Sequence, residues 1–148
     1  MKYLRSRIVK KRGLFLGGGN TMEERLCGLT KPEVGKRGED LALAYVLQMG
    51  LKFVARNWHY GHAELDLVAE DHSFIHFIEV RTLVYPNKIE PFETINTFKQ
   101  RHIIKAARAF VAKYGINKEV VFDVVSVVLN GENYKLEYIK NAFTPLWG

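Results

Sequence analysis

Two short stretches of the sequence carry charged side chains at every second position, which is the side-chain period of a β-strand. In the first stretch, we expect Glu64 and Asp66 to point to one face of the strand. Leu65 and Leu67 then point to the opposite face. The second stretch, residues 77–81, alternates in the same way and places a glutamate and an arginine two residues apart. Carboxylates and a cation on neighbouring strands are able to bind a metal ion and a phosphate group.

The polar segment between the two stretches predicts a β-hairpin. If its loop has an even number of residues, Asp66 and Glu79 lie on one face of the hairpin. Depending on where the turn is centred, the residue directly opposite Glu79 is either Glu64 or Asp66. Because opposed carboxylates repel each other, a divalent cation between them best explains the pair. Hard ions such as Mg²⁺ take oxygen ligands, commonly one or two carboxylates together with water and phosphate oxygens.

Hydrophobic periodicity predicts the elements that would position these side chains. Apolar residues recur at helical spacing in residues 34–49 and again after Thr97, where Thr97 and Gln100 match a capping box. We expect Phe98 to lie on the buried side of this second helix. The predicted order of elements is helix, three strands, helix, two strands. Besides the acidic hairpin, the predicted strands are residues 51–57, 120–129 and 134–139.

Asp66, a further twelve residues and then Glu79-Val80-Arg81 resemble the signature of the PD-(D/E)XK nucleases, with Arg81 in place of the usual lysine. The surroundings resemble the YraN-like family, a group of predicted endonucleases similar to archaeal Holliday-junction resolvases. The resemblance extends over residues 34–143. Five blocks occur in the order seen in that family: residues 38–42, 56–57, 63–69, 99–101 and 122–125.

The resemblance implies an α/β fold with a restriction-endonuclease-like core, in which helices flank a central mixed β-sheet. It also implies that Asp66 and Glu79 bind Mg²⁺ or Mn²⁺. Glu64, on the same strand face, and Glu39, on the first helix, would be supporting ligands. Glu39 has a second interpretation, which is a favourable interaction with the dipole of the helix on which it lies.

Arg81 differs in its chemistry from the lysine of the family motif. Arg81 keeps the positive charge of the family lysine and is able to grip phosphate through two hydrogen bonds. It cannot act as a base near neutral pH, because a guanidinium does not lose its proton there. Lys99, on the second helix, is the candidate for supplying an ammonium group instead. Asp123 also matches the family, and we expect a structural role for it near the end of the sheet.

Basic and aromatic residues near the expected site are candidates for binding nucleic acid. In the aromatic segment 58–62, which we expect to be a loop, Trp58 is a candidate for stacking on bases and Arg56 for contacting phosphate. Packing of the same aromatic rings over the edge of the sheet is the alternative. The basic residues of the second helix follow the site, and we expect phosphate contacts from Lys99, Arg101, His102 and Lys105.

The chain of 148 residues is long enough for one domain with a substantial core. Its net charge of +6 comes from six basic residues in positions 2–12, since the remaining basic and acidic residues balance at 16 each. We expect residues 1–32 to form a flexible basic leader and residues 33–148 to form the nuclease-like domain. No stretch approaches the roughly 20 apolar residues of a membrane helix, and the single cysteine is compatible with a cytoplasmic protein.

These observations favour a metal-dependent endonuclease that hydrolyses DNA phosphodiester bonds, with branched or junction DNA suggested by the resolvase similarity. That similarity also suggests a symmetric homodimer, because two nicks must be placed. One alternative is a catalytically silent nucleic-acid-binding module on a nuclease fold. Another is a protein-binding adaptor whose carboxylate pair is a solvated strand face.

Overall fold

The structure, a computed structural model, describes residues 7–12 and 29–145. From residue 29 onward its elements follow the predicted order of helix, three strands, helix and two strands. A 3-10 helix (Pro91–Thr94) precedes the second α-helix. The helices and strands of the described residues are β1 (Arg7–Arg12), α1 (Lys31–Gln48), β2 (Lys52–Tyr60), β3 (Ala63–Glu70), β4 (Phe74–Val84), α2 (Thr97–Tyr114), β5 (Glu119–Asn130) and β6 (Asn133–Phe143).

The strands form one mixed sheet in the order β1-β6-β5-β4-β3-β2. Strands β4 and β5 are parallel because α2 returns the chain between them, and the other neighbours are antiparallel. The run of valines in β5 lies in the interior of the sheet, as a continuous apolar strand should. The architecture therefore confirms an α/β fold with a mixed sheet flanked by helices, and it is compatible with a restriction-endonuclease-like core.

Each face of the sheet buries its own hydrophobic cluster. One cluster joins α1 to the sheet and the other joins α2 to the opposite face. Fully buried members of the α1 cluster include Val46, Ile78, Leu136 and Tyr138. Fully buried members of the α2 cluster include Val68, Phe77, Ile103 and Phe110.

The acidic hairpin adopts the second of the two registers considered above. Leu67 pairs with Ile78, so the turn is centred between His72 and Ser73, and Asp66 falls opposite Glu79. Asp71 holds this turn, because its carboxylate accepts the backbone N–H groups of Ser73 and of the following phenylalanine, each at 2.8 Å. These hydrogen bonds lower the pKa of Asp71 to about 2.

The expectation that Leu65 and Leu67 share one face is wrong. Leu65 packs in the α2 cluster, whereas Leu67 packs in the α1 cluster. The alternation breaks at Asp66, between the paired rows Arg56–Leu67 and Trp58–Leu65, where β2 has Asn57 at a φ of 50°. Asparagine tolerates this left-handed conformation better than most residues. As a result, the tip of the β2–β3 hairpin turns toward α2.

Three local expectations need correction. Strand β2 continues to Tyr60, so the aromatic segment lies mostly in a strand, and only Gly61 and His62 form the turn. Helix α2 is capped by Asn96, whose side chain accepts the N–H of Lys99 at 2.9 Å, and not by Thr97. Phe98 is 69% exposed instead of buried.

Part of the expected leader has a regular structure. Arg7–Arg12 pairs with β6 as an edge strand, and α1 begins at Lys31 after a capping box formed by Thr30 and Glu33. Residues 1–6, 13–28 and 146–148 lie outside the described residues, so the boundary near residue 32 stays a prediction. Among the described helices, none has the length and apolar character needed to span a bilayer.

Candidate active site and nucleic-acid interface

The acid pair lies where the ladder between β3 and β4 ends. The last paired row is Leu67–Ile78, and beyond it the side chain of Asp66 accepts the N–H of Val80 at 2.9 Å. Glu79, on the same row as Asp66, is only 2% exposed. Its Oε2 atom is buried and receives no hydrogen bond from the described residues. Because the β-ladder ends here, two carboxylates lie close together. One of them, Glu79, is almost completely shielded from solvent.

Burial and the negative charge of Asp66 raise the pKa of Glu79 to about 8, and a side-chain hydrogen bond between the two carboxyl groups adds to the rise. Two carboxylates on neighbouring strands repel each other when both are ionised, and burial removes the water that would solvate the charge. Glu79 therefore holds its proton to a higher pH than an exposed glutamate does.

Two cations approach the same oxygen of Glu79. Nζ of Lys99 lies 3.3 Å from Oε1, and Nε of Arg81 lies 3.5 Å from it. Both cations lower the pKa of Glu79, but their effect is smaller than that of burial and of Asp66. Lys99 reaches the site from the first turn of α2, which the Asn96 cap holds in place. The structure therefore brings four of the predicted catalytic residues together.

Glu39 approaches the acid pair from α1. Arg56 binds it at 3.2 Å and binds Asp40 at 2.7 Å. Burial raises the pKa of Glu39, the hydrogen bond from Arg56 opposes this rise, and the charge of Asp66 adds to it. Glu39 is therefore close enough to Asp66 to be influenced by its charge. Arg56 is engaged with these two carboxylates, so it orients Glu39 instead of presenting a bare cation to phosphate.

A close contact between α1 and β4 explains how the helix approaches the site. A Cβ atom on Gly38 would lie 1.8 Å from Oγ1 of Thr82, so only glycine allows this separation. The neighbouring Glu39 consequently lies over the end of β4. There, a cleft of about 530 Å³ is lined by Glu39, Arg81, Thr82 and Thr94, among others. Arg81, whose Nε lies 3.5 Å from Oε1 of Glu79, therefore also borders this cleft.

Glu64 is placed differently from the other acids. Its carboxylate pairs with His59 across the β2–β3 hairpin at 3.7 Å. It precedes the break in alternation, so sharing a strand does not bring it to the face of Asp66. Within the described residues, no group of three or more His, Cys, Asp or Glu side chains forms a ready metal cluster.

A divalent cation fits the acid pair on the chemistry of its donors. Asp66 and Glu79 offer hard carboxylate oxygens, and the buried Oε2 of Glu79 has an unused acceptor. The raised pKa of Glu79 indicates that additional positive charge is favourable at this place. Two carboxylates, with water and phosphate oxygens completing the shell, are a usual ligand set for Mg²⁺. Glu39 is the nearest candidate for an outer ligand.

The basic residues of α2 divide between the site and a neighbouring groove. Lys99 belongs to the site, whereas Arg101 and Lys105 line a groove of about 780 Å³ beside the helix. His102 packs against the exposed Phe98, with ring centroids 4.4 Å apart. The predicted phosphate contacts of these residues are compatible with their positions and stay predictions.

Trp58 packs within the protein instead of facing solvent as a stacking platform. Its ring meets Phe110 edge-on at 5.2 Å, and its Nε1–H donates to the hydroxyl of Tyr114 at 3.3 Å. This favours the alternative considered for the sequence, which is packing of the aromatic rings over the sheet. Tyr60 lies parallel to Trp58 on its other side and is 48% exposed.

A second polar cluster lies away from the site and holds three strands together. Asp123 is fully buried, and it accepts hydrogen bonds from the Tyr138 hydroxyl and, at 2.7 Å, from the N–H of Asn141. Nδ1 of His76 lies 2.6 Å from the same carboxylate. Burial by itself would lower the pKa of His76, but Asp123 and Asp71 raise it. These contacts give Asp123 the structural role expected from the sequence. The part played by His76 was missed, because its single position in a strand gives no signal.

The fold and the site define an α/β protein with a paired-carboxylate centre at the open end of a mixed sheet. Comparison with known families matches residues 38–127 to the model described as Uncharacterised protein family UPF0102. The chain belongs to this family, the YraN-like family.

Relatives in several bacteria match most of the chain. A UPF0102 protein of Bacteroides thetaiotaomicron is 34% identical over 113 residues, covering 76% of this chain and 93% of that protein. A UPF0102 protein of Phocaeicola vulgatus is 35% identical over 116 residues, covering 78% and 96%. One of Porphyromonas gingivalis is 37% identical over 114 residues, covering 76% and 84%.

Proposed function

We propose that this protein is a metal-dependent endonuclease that hydrolyses DNA phosphodiester bonds, with branched or junction DNA as its preferred substrate. One observation carries the proposal. A buried glutamate lies opposite an aspartate on the neighbouring strand, and two cations lie within 3.5 Å of one of the glutamate oxygens. This combination supports binding of both a divalent cation and an anionic phosphate. The preference for a junction, and the homodimer that would place two cuts, rest on the family resemblance.

Asp66 and Glu79 would hold Mg²⁺ or Mn²⁺, with Glu39 in a supporting position. The bound ion supplies a Lewis acid for the phosphate and lowers the pKa of a coordinated water. Lys99 and Arg81 bind phosphate oxygens and stabilise the negative charge that develops on them during attack. Arg56 keeps Glu39 and Asp40 oriented toward the sheet through its two ion pairs.

The raised pKa of Glu79 has a consequence for metal binding. Because Glu79 holds its proton up to about pH 8, a cation must displace that proton in order to bind. Metal affinity should therefore rise with pH up to that value. A carboxylate pair on a solvated strand face, as in an adaptor protein, would already be ionised at neutral pH and would show no such dependence.

The second candidate function is a nucleic-acid-binding module without hydrolysis. Arg81 favours it, since a guanidinium lies where the related nucleases have an amine able to lose a proton. Lys99 and Arg81 also already offset part of the charge of Glu79 without any metal. On the other hand, the two carboxylates would repel phosphate and weaken its binding unless they bound a cation.

Cleavage of labelled DNA distinguishes the two functions. Four-way junction, flap, single-stranded and linear duplex DNA are each incubated with Mg²⁺, Mn²⁺ or EDTA. We expect metal-dependent cutting, highest for the branched substrates, that is lost in Glu79→Ala and kept in the exposed-carboxylate control Glu119→Gln. If only the Arg81→Lys variant cuts DNA, the unmodified protein is a nucleic-acid-binding module that does not hydrolyse its substrate. Equal cutting in EDTA would refute a metal-dependent reaction.

A further inference from the structure

A groove beside the candidate site combines positive charge with an exposed aromatic ring. Its walls are α2, the end of β2 and the chain after β6, and its volume is about 780 Å³. Among the described residues that line it, none is a carboxylate. The lining residues that matter here are Tyr60, Arg101, Lys105 and Arg108.

The cations of the groove lie in one row. Arg101, Lys105 and Arg108 are separated by four and three residues, so they share one face of α2. All three are exposed. A nucleic-acid backbone that lies along this face of α2 therefore meets three successive positive charges. Such a row binds phosphates independently of base sequence.

The aromatic ring of the groove is rigidly supported. Tyr60 lies parallel to Trp58, with an interplanar angle of 4° and ring centroids 6.4 Å apart. Trp58 is in turn fixed by its edge contact with Phe110 and its hydrogen bond to Tyr114. The bend at Asn57 turns this end of the hairpin toward α2, so the ring of Tyr60 borders the basic row. An aromatic face held beside a row of cations has the composition of a single-strand binding site.

We propose that this groove binds an unpaired segment of the nucleic-acid substrate, with phosphates on Arg101 and Lys105 and a base stacked on Tyr60. The inference rests on the proposed nuclease function and specifies its substrate class. A base within an uninterrupted duplex is stacked on its neighbours and cannot offer a free face to a tyrosine. The preferred substrates are therefore single strands, flaps or junctions with an unpaired segment next to the cut.

The test measures binding and cleavage separately. Binding of a fluorescent oligothymidylate and of a duplex of equal length is followed by anisotropy in EDTA, so that no cutting occurs. We expect Tyr60→Ala to weaken single-strand binding about fivefold or more and duplex binding by less than about twofold. Tyr85→Ala removes another exposed aromatic residue, which does not line the groove, and it should bind like the unmodified protein.

A second variant does not depend on the packing of Tyr60. Arg101→Gln with Lys105→Gln changes only exposed helix positions, and it should reduce the salt dependence of single-strand binding by about 0.7 per cation. Unchanged single-strand binding in both variants would refute the proposed role of the groove. Equal losses of binding in Tyr60→Ala and Tyr85→Ala, or a change of oligomeric state with Tyr60→Ala, refute it as well.

Cleavage in Mn²⁺ by the same proteins separates this inference from the nuclease proposal. Selective binding of single strands that depends on Tyr60, without cutting of any substrate, would reject the nuclease and support the groove. Cutting that shows no preference for unpaired DNA and no effect of Tyr60→Ala would support the nuclease and reject the groove.

Discussion

Replacing Glu79 by glutamine should change how the stability of the protein depends on pH. In the metal-free protein, the pKa of Glu79 is raised from 4.5 to about 8, so between these values the folded chain holds a proton that the unfolded chain has lost. The free energy of unfolding then falls by about 1.4 kcal/mol for each pH unit in this window. The stabilisation is complete below pH 4.5 and is lost as the pH rises through about 8.

Glu79→Gln keeps the shape of the side chain and has no proton to lose. We expect its stability to match that of the unmodified protein near pH 4.5 and to exceed it by several kcal/mol above pH 8, where the buried carboxylate is ionised. Burial alone would lower the pKa of His76, but its carboxylate partners raise it in both proteins, so the difference between the two proteins isolates Glu79. Asp66→Asn should lower the pKa of Glu79 and so shorten the pH range over which stability falls. It removes the negative charge of Asp66, which is the second cause of the raised pKa, and leaves burial, which is the first.

Urea unfolding in EDTA across the window from pH 4.5 to about 8 provides the measurement. The control is Glu119→Gln, an exposed carboxylate at the far end of β5, whose stability should run parallel to that of the unmodified protein. If the stability of Glu79→Gln also runs parallel to that of the unmodified protein, the pKa of Glu79 is not raised in the folded protein. The electrostatic basis of the metal site would then be refuted.

Three further predictions concern the scaffold. Gly38→Ala should destabilise the protein by about 1–3 kcal/mol, because its Cβ would clash with Thr82; a midpoint of thermal unfolding equal to that of the unmodified protein would contradict this contact. Asp123→Asn should cost about 3–5 kcal/mol in urea unfolding, since it breaks a buried charged network, and a cost below about 1 kcal/mol would contradict its structural role. Asn96→Ala should cost about 1 kcal/mol and Thr97→Ala clearly less, and the reverse order would restore Thr97 as the cap of α2.

The order of elements and the acid pair could be predicted because both follow from local periodicity. Alternation in two strands and an even loop were sufficient to place Asp66 and Glu79 on neighbouring strands with only the register open. The approach of Lys99 was also accessible, through its place at the start of a helix that follows the site. These features depend on short-range patterns that tertiary packing had little reason to override.

The errors occurred where tertiary structure interrupts such patterns. Strict alternation predicted that Leu65 and Leu67 lie on the same face of the strand, but the bend at Asn57 puts them on opposite faces. A positive φ at a single asparagine cannot be recognised from sequence periodicity. Phe98 was assigned to the core by its chemical type, although its position on the first turn points it outward. The sequence left open whether Trp58 stacks on bases or packs over the sheet, because only the packing of α2 decides which aromatic ring is covered.

The bend in the β2–β3 hairpin also has a consequence for how the protein unfolds. Since β3 gives Leu65 to one hydrophobic cluster and Leu67 to the other, loosening of either layer disturbs the strand on which the second layer depends. The two layers should therefore lose their structure in one cooperative transition, and their amide protons should exchange with similar free energies. Asp66 lies between these two leucines, so the acid pair should keep its geometry until the whole domain unfolds.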